Sequence, residues 1–296
     1  MLSSETIKRA KQGLDYARDR QINHMITAAL SSAEADTVSN YYGRIRGEIR
    51  RIAMKLLIYS LFEVKVEFSD RIPQQPAVIA ANHLNHIDPF LLLSQLPAQP
   101  FYHILGDSRT LYNKCWKRIF LNFSQGVIPL ERIWKEEIAV MEAAKEGRED
   151  LTELATAIAQ YVPQGNSIEM MRKLERIVQS IFARREGILI VPEGRLGDTE
   201  GQLCPLKRGA VIYAIRYGMP IVPVALIGTH DLYFRKKLTI KFGHPLTFLQ
   251  SRRPKGKDLQ TATDALQTSL MNLLPQNYHE PDELKPLRNF LNHMFW

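Results

Sequence analysis

Hydrophobic and polar positions change rhythm several times along the chain. Residues 1–38 are polar and helix-favouring, with only a weak apolar stripe. From 40 to 62 the period becomes helical. Ile45, Ile49, Ile52 and Leu56 recur at spacings of four, three and four, which places them on one helical face. Arg44, Arg46, Arg50, Arg51 and Lys55 crowd the remainder, and the segment runs into the apolar KLLIYSLF. This is the pattern of an interfacial membrane helix, and equally that of a surface helix packed on a core. From residue 64 short apolar runs alternate with helical stretches. Strands are expected at 64–68, 76–82, 101–105, 126–130, 187–192, 221–228 and 238–242, and helices at 89–96, 112–121 and 208–217. Such alternation predicts an α/β fold, a layered sheet flanked by helices. Pro223 inside the run 221–228 points to an edge strand or a bulge. Residues 133–185 carry no strand signal, and YVPQGN at 161–166 splits them into two helices, read as an inserted hairpin. A basic loop, SRRPKGK at 251–257, precedes a tail with Pro275, Pro281 and Pro286 that ends in the amphipathic NFLNHMFW. Three segments follow: a helical, membrane-interfacial 1–62, a main domain 63–250 holding the insertion, and a C-terminal 251–296.

Composition adds limits. With 296 residues, 45% hydrophobic and 24% charged, the chain is long enough for a core of its own. Lys and Arg number 39 against 31 Asp and Glu, a formal charge of +8. That balance suits nucleic acid, anionic lipid or a phosphorylated substrate. Only Cys115 and Cys204 are present, which excludes a disulfide framework and a C-x-x-C zinc pair and fits a reducing compartment. The opening twenty residues lack the apolar core of a secretory signal. Leu56–Phe62 is uncharged for seven residues, whereas a membrane span needs roughly 20. The longer uncharged run 89–106 is broken by Pro97, Pro100 and His103. A soluble or membrane-peripheral protein is expected.

Four blocks carry the candidate chemistry. In ANHLNHIDPF (81–90), Asp88-Pro89 reads as a helix start with Asp88 as the cap. His83 lies five residues earlier, in a strand-to-helix turn that lets the carboxylate reach the imidazole. Such a pair makes a general base. A metal reading of His83, His86 and Asp88 competes, but the spacing is not H-E-x-x-H and no further ligand cluster complements it. His86 then serves the turn. In GVIPLER (126–132) a strand delivers Glu131 and Arg132 at its end, where open α/β sheets place ligands; a solvated charge pair explains them equally. In VPEGRLGDTEGQLCPLKRGA (191–210) a strand ends in Pro192-Glu193-Gly194, and a glycine-bearing loop leads to Lys207 and Arg208 at a helix start, a setting that favours an anion. The Walker pattern is not met, so nucleotide hydrolysis is not expected. IVPVALIG (221–228) is structural.

Taken in order, these blocks resemble those of the PlsC-like glycerolipid acyltransferase family, over about residues 64–250. Its N-H-x-x-x-x-D motif corresponds to Asn82, His83 and Asp88; its second block to Gly126–Arg132; its P-E-G string and K-x-G-A helix start to Pro192, Glu193, Gly194, Lys207, Gly209 and Ala210; and its V-P-V strand to Val222–Val224. The resemblance implies that His83 is the general base on an acceptor hydroxyl and that Asp88 orients it. Acyl-CoA or acyl-ACP would be the co-substrate, with no cofactor, no metal and no covalent acyl-enzyme. Arg132, Glu193, Gly194, Arg195 and Lys207 would hold the acceptor's polar head. The implied reaction is acylation of 1-acylglycerol-3-phosphate to phosphatidic acid at the cytoplasmic surface of a membrane, with no nucleic-acid partner. Three departures stand out: Arg195-Leu196-Gly197 replaces Thr-Arg-Ser, the insertion 133–185 is long, and the N-terminal segment is polar. The shifted arginine keeps another acceptor open, such as glycerol 3-phosphate, another lysolipid or an unphosphorylated alcohol. A catalytically silent lipid-binding protein is the alternative from another class.

Overall fold

The computed structural model describes residues 2–34, 40–124, 126–163 and 168–295. Helices α1 (Ser4–Arg18), α2 (Arg20–Glu34) and α3 (Asn40–Leu61) precede strand β1 (Glu63–Glu67). Then come β2 (Val78–Ala81), α4 (Asp88–Gln95), β3 (Tyr102–Asp107), the single-turn α5 (Ser108–Leu111), α6 (Cys115–Ser124) and β4 (Val127–Leu130). Helices α7 (Lys135–Lys145), α8 (Thr152–Tyr161) and α9 (Ile168–Ala183) lead to β5 (Gly187–Ile190). The chain continues through α10 (Gly209–Tyr217), β6 (Ile221–Ile227), β7 (Lys237–Phe242), α11 (Gly256–Leu273) and α12 (Arg288–Phe295).

The chain folds as two compact units, the first built from residues 1–36 and 105–177, the second from 37–104 and 178–296. The expected N-terminal segment is therefore divided: α1 and α2 belong to the first unit, α3 to the second. In the first unit, Ala10 and Leu14 of α1 pack with Val140 and Ala143 of α7, Ile158 of α8, and Leu151 and Val162 beside them. Burying such side chains supplies about 25 cal/mol per Å² of apolar surface. Among the described residues the stretch expected as a hairpin of two helices contains three, because the chain also breaks at Gly147. Gly147 has φ +99° and donates to Ala144 O while Arg148 donates to Ala143 O, a left-handed ending that suits glycine.

In the second unit the strand order is β1-β7-β6-β2-β5-β3; β3 runs on into the first unit, where β4 also lies. Strand β2 pairs in parallel with β5 (Val78 opposite Ile188) and with β6 (Val78 opposite Ile221). With neighbours on both sides, residues 77–81 are fully buried, as expected of an unbroken apolar run. Strand β7 is antiparallel to β6 and parallel to β1. Helices α10 and α11 pack on this sheet, and α3 packs against α4.

Pro223 is not on an edge strand, since β6 lies between β2 and β7. The antiparallel ladder ends at Val224 opposite Phe242, and beyond it Gly243 donates to Pro223 O at 2.8 Å. The pairing resumes at Ile221 opposite Leu246, with two residues facing three between the two points, so the proline without an N–H lies at a bulge, the other alternative it raised. Gly243 gives the ring room, because a Cβ there would lie 2.7 Å from Pro223 Cγ.

Of the two facings open to helix α3, the structure has the one that leaves the aliphatic stripe outside. Its core face is Gly47, Arg50, Met54 and Ile58, while Ile49, Ile52, Leu56 and Tyr59 are exposed. Arg50, expected among the solvated cations, is buried: its guanidinium lies 3.6 Å from the Phe101 ring centre and donates to Tyr102 O at 2.9 Å. Burial pushes this arginine down to about 9, opposed by the nearby Glu186 charge. The side chains of Ile45, Arg44 and Arg46 lie outside the described residues.

Candidate active site

The second unit holds the His83 turn. Strand β2 ends at Ala81, and Asn82 replaces the next rung of the sheet with its side chain. Its Nδ2 donates to Leu226 O at 2.9 Å, and Leu226 N donates to its Oδ1 at 2.7 Å. This clamp fixes the point from which the chain turns. Asp88 then opens α4, with Pro89 in the first turn. Its carboxylate does not cap α4, as expected; it reaches back across the turn. Asp88 Oδ2 accepts Leu84 N at 2.8 Å, Asn85 N at 2.9 Å and His83 Nδ1 at 2.8 Å. The side chain of Asp88 is 1% exposed and that of His83 15%. A carboxylate already accepting two amides acts only as an acceptor. Nδ1 therefore carries the hydrogen, and Nε2 is left with the lone pair that can take a proton.

The loop after β5 grips the backbone of the same histidine. Glu193 Oε1 accepts His83 N at 2.9 Å, Glu193 Oε2 accepts Cys204 N at 2.7 Å, and Gly197 N donates to His83 O at 2.7 Å. Burial raises the Glu193 carboxyl above its ordinary range, opposed by the amides of Cys204 and His83. Glu193 was expected to hold an acceptor head group. Both its oxygens are engaged by amides instead, and the residue is 2% exposed; it braces the turn. Nothing in the local pattern around Glu193 names these partners.

Gly194 has φ +63°, and the Lys207 chain lies across it, so a Cβ there would come within 2.9 Å of Lys207 Cδ, Cε and Nζ. Lys207 N donates to Pro192 O at 2.7 Å, and both Lys207 and Arg195 are exposed. Burial raises the Cys204 thiol, opposed by Arg195. His86 is half-buried, its ring edge-on to His83 with centroids 5.9 Å apart. Among the described residues no group of three or more His, Cys, Asp or Glu converges as a metal site.

Arg132 is described with the first unit. Its Nε lies 2.7 Å from Asp107 Oδ2, which also accepts Trp134 Nε1 at 2.9 Å. Beside it Arg109 and Glu137 form a buried ion pair at 2.5 Å, and Arg109 also donates to Gly13 O and Arg132 O. Glu131 is held above its usual range by burial, against the charges of Lys173 and Arg109. This network was not legible, because Asp107 and Glu137 lie in segments without a motif.

Residues 63–227 match the acyltransferase family. The chain belongs to that family. Among its relatives are three plant proteins named 1-acyl-sn-glycerol-3-phosphate acyltransferase. That of Limnanthes douglasii is 24% identical over 217 residues, covering 71% of this chain and 61% of its own length. That of Limnanthes alba is 32% identical over 94 residues, 29% of this chain and 32% of its own length. That of Cocos nucifera is 28% identical over 82 residues, 28% of this chain and 26% of its own length. The chain thus spans less than two thirds of each. A solved structure, the 1-acyl-sn-glycerophosphate acyltransferase PlsC of Thermotoga maritima, aligns with a TM-score of 0.48 at 15% identity, covering 93% of this chain and 100% of that one.

Proposed function

We propose that the protein transfers a fatty acyl group from acyl-CoA or acyl-ACP to the free hydroxyl of 1-acylglycerol-3-phosphate, giving phosphatidic acid. The observation that carries this reading is the His83–Asp88 pair, 2.8 Å apart, inside the segment that matches the acyltransferase family. Nε2 of His83 takes the hydroxyl proton as the acceptor oxygen attacks the thioester carbonyl. Asp88 stabilises the imidazolium that forms. Collapse of the tetrahedral intermediate breaks the C–S bond, and the imidazolium returns its proton to the leaving thiolate. The plant relatives' names support this choice of acceptor. Lys207 and Arg195, both exposed, are the cations we assign to the acceptor phosphate within the second unit, since cations pair strongly with phosphate oxygens.

We place the enzyme on a membrane surface, on the side that holds acyl thioesters. Among the described residues no helix is long and apolar enough to cross a membrane. The exposed Ile49, Ile52, Leu56 and Tyr59, with Arg51 and Lys55 on the same helix, support an interfacial contact.

Purified protein offered lysophosphatidate, glycerol 3-phosphate, other lysolipids and an unphosphorylated alcohol, with acyl-CoA and acyl-ACP in turn, tests the assignment. Phosphatidic acid is the expected main product, and His83→Ala is expected to lose about 10²–10⁴-fold in rate while staying folded. His86→Ala is expected to retain most activity. Preference for the alcohol over lysophosphatidate would overturn the acceptor; full activity in His83→Ala would overturn the mechanism.

A further inference from the structure

We infer that the C-terminal tail is the second half of the membrane contact: Leu284, Leu287 and Phe290 enter the bilayer beside the end of α3, at the end of the sheet where His83 lies. The inference rests on the reading of the protein as a lipid acyltransferase placed on a membrane by α3. Every residue concerned belongs to the second unit.

The tail is fastened to the connection between β6 and β7. Asp231 accepts Lys285 Nζ at 2.9 Å and Arg288 Nε at 2.8 Å. Asn292 acts as one more rung of a ladder: its Nδ2 donates to Leu232 O at 2.9 Å, and Leu232 N donates to its Oδ1 at 3.0 Å. Phe234 N donates to Pro286 O at 2.8 Å, and Leu291 is fully buried. A tail held so firmly for stability alone would turn its other apolar side chains inward. Instead Leu284 is 91% exposed, Leu287 56% and Phe290 60%, with Phe234 of the connection at 37%. An exposed apolar cluster on a fixed frame marks a contact with something else.

Leu287 gives the same answer from the backbone. It stands immediately before α12, its carbonyl accepting Leu291 N at 2.9 Å, with φ +58°. Leucine is among the poorest residues at a helix start, and its Cβ opposes left-handed backbone. Asparagine suits both. A leucine that local preference opposes and the core does not use has its use outside the fold.

The occupant is a bilayer. The connection that holds the tail also holds the end of α3, since Arg235 N donates to Leu61 O at 2.7 Å. The tail cluster and the last exposed residues of the α3 stripe, Leu56 and Tyr59, therefore flank one connection. Lys55 on α3 and Lys237 at the start of β7 form no ion pair among the described residues, and cations bordering apolar side chains suit anionic head groups. The connection leaves β6 just beyond Leu226, which is clamped to Asn82 next to His83. A lipid acceptor is thereby met at the catalytic end of the sheet. One shallow anchor binds marginally, and stable anchoring takes two.

Vesicles of phosphatidylcholine and phosphatidylglycerol are the probe. The triple variant Leu284→Ser, Leu287→Asn, Phe290→Ser keeps Asp231, Leu291 and Asn292 and is expected to stay folded. Leu287→Asn alone is expected to melt at the same temperature as the wild type or higher, while weakening co-sedimentation. The triple variant is expected to bind vesicles about tenfold or more weakly, a deficit that persists at high salt because apolar insertion is not screened. Its kcat/KM is expected to match the wild type for a short-chain lysophosphatidate dissolved as monomers and to fall about tenfold or more for lysophosphatidate held in vesicles. Unchanged vesicle binding in the folded variants overturns the inference. An equal loss on the dissolved acceptor overturns it too, as does a wild-type dimer that the triple variant breaks without lipid, which would give this surface to a second copy. If the wild-type protein acylates none of the acceptors, the proposed function fails and vesicle binding still decides the role of the tail.

Discussion

Asp88 Oδ2 holds together a base and the turn that carries it. It accepts the imidazole Nδ1 and two backbone amides within 2.9 Å. Asp88→Asn keeps the shape and an accepting oxygen but loses the charge that stabilises an imidazolium. Transfer is expected to fall by about 10²–10⁴-fold with a small change in melting temperature, read from initial rates and thermal melts on the same preparations. Glu193 is a different case. Each of its oxygens accepts one amide, so in Glu193→Gln one amide N–H faces an NH2 group. Loss of about 1–3 kcal/mol in stability is expected, as for a buried donor left unsatisfied, together with a lower kcat; urea denaturation and kinetics check the two. These residues also show what a sequence makes visible at this scale. His83 and Asp88 are five apart across one turn, so their meeting is a local matter that spacing announces. Glu193 and His83 are 110 apart, and what Glu193 binds is backbone, which carries no residue-type signal. The bracing contacts of Glu193 therefore show only in space.

Helix α3 is an element whose helical period is legible and whose facing the period leaves open. The period of its large aliphatics marks a stripe, and stripes usually face the core. Here the core face is made by Gly47, Arg50, Met54 and Ile58. Gly47 permits the close approach, since a Cβ would lie 2.5 Å from Ala98 O. Arg50 fills its place by laying a guanidinium on an aromatic ring and donating to a carbonyl, a use of arginine that composition reads as surface charge. The aliphatic stripe is left outside. Ile52 is 52% exposed and Leu56 69%, so Ile52→Asp with Leu56→Asp is expected to leave folding intact while abolishing co-sedimentation with anionic liposomes. Retained binding would remove α3 from the membrane contact. Arg50→Met is expected to do the reverse, lowering unfolding free energy by about 1.5–3 kcal/mol for the lost charged hydrogen bond and leaving liposome binding of the folded fraction unchanged.

Across the whole chain, the alternation of apolar runs and helices announces an α/β sheet, because each strand buried on both faces is a short unbroken hydrophobic run. Strand order and the two discontinuous units do not show, since both are decided by contacts between segments far apart in sequence. One such long-range cluster sets a pH response for the second unit. His103 Nε2 on β3 lies 2.8 Å from Glu186 Oε2, which also takes Arg184 Nε at 3.0 Å, while His103 Nδ1 is buried without a partner. Burial holds His103 below its ordinary value, helped by the charges of Arg50 and Arg184 and opposed by Glu186. Burial works to raise Glu186, but the hydrogen bonds and charges of His103 and Arg184 hold it below its ordinary value. In both cases the unfolded chain binds protons more readily than the folded one, so stability rises with pH. The His103 contribution is complete above the unfolded histidine value of about 6.5 and shrinks as pH falls below it. That of Glu186 is complete above about 4.3, the unfolded glutamate value, and is lost as pH falls further, through its lowered folded value. Urea midpoints measured from pH 7.5 to 4 are expected to decline in two stages. His103→Gln removes the upper stage and keeps the lower one, which Arg184 still supports. An upper stage of unchanged slope in His103→Gln would assign the acid sensitivity to another group.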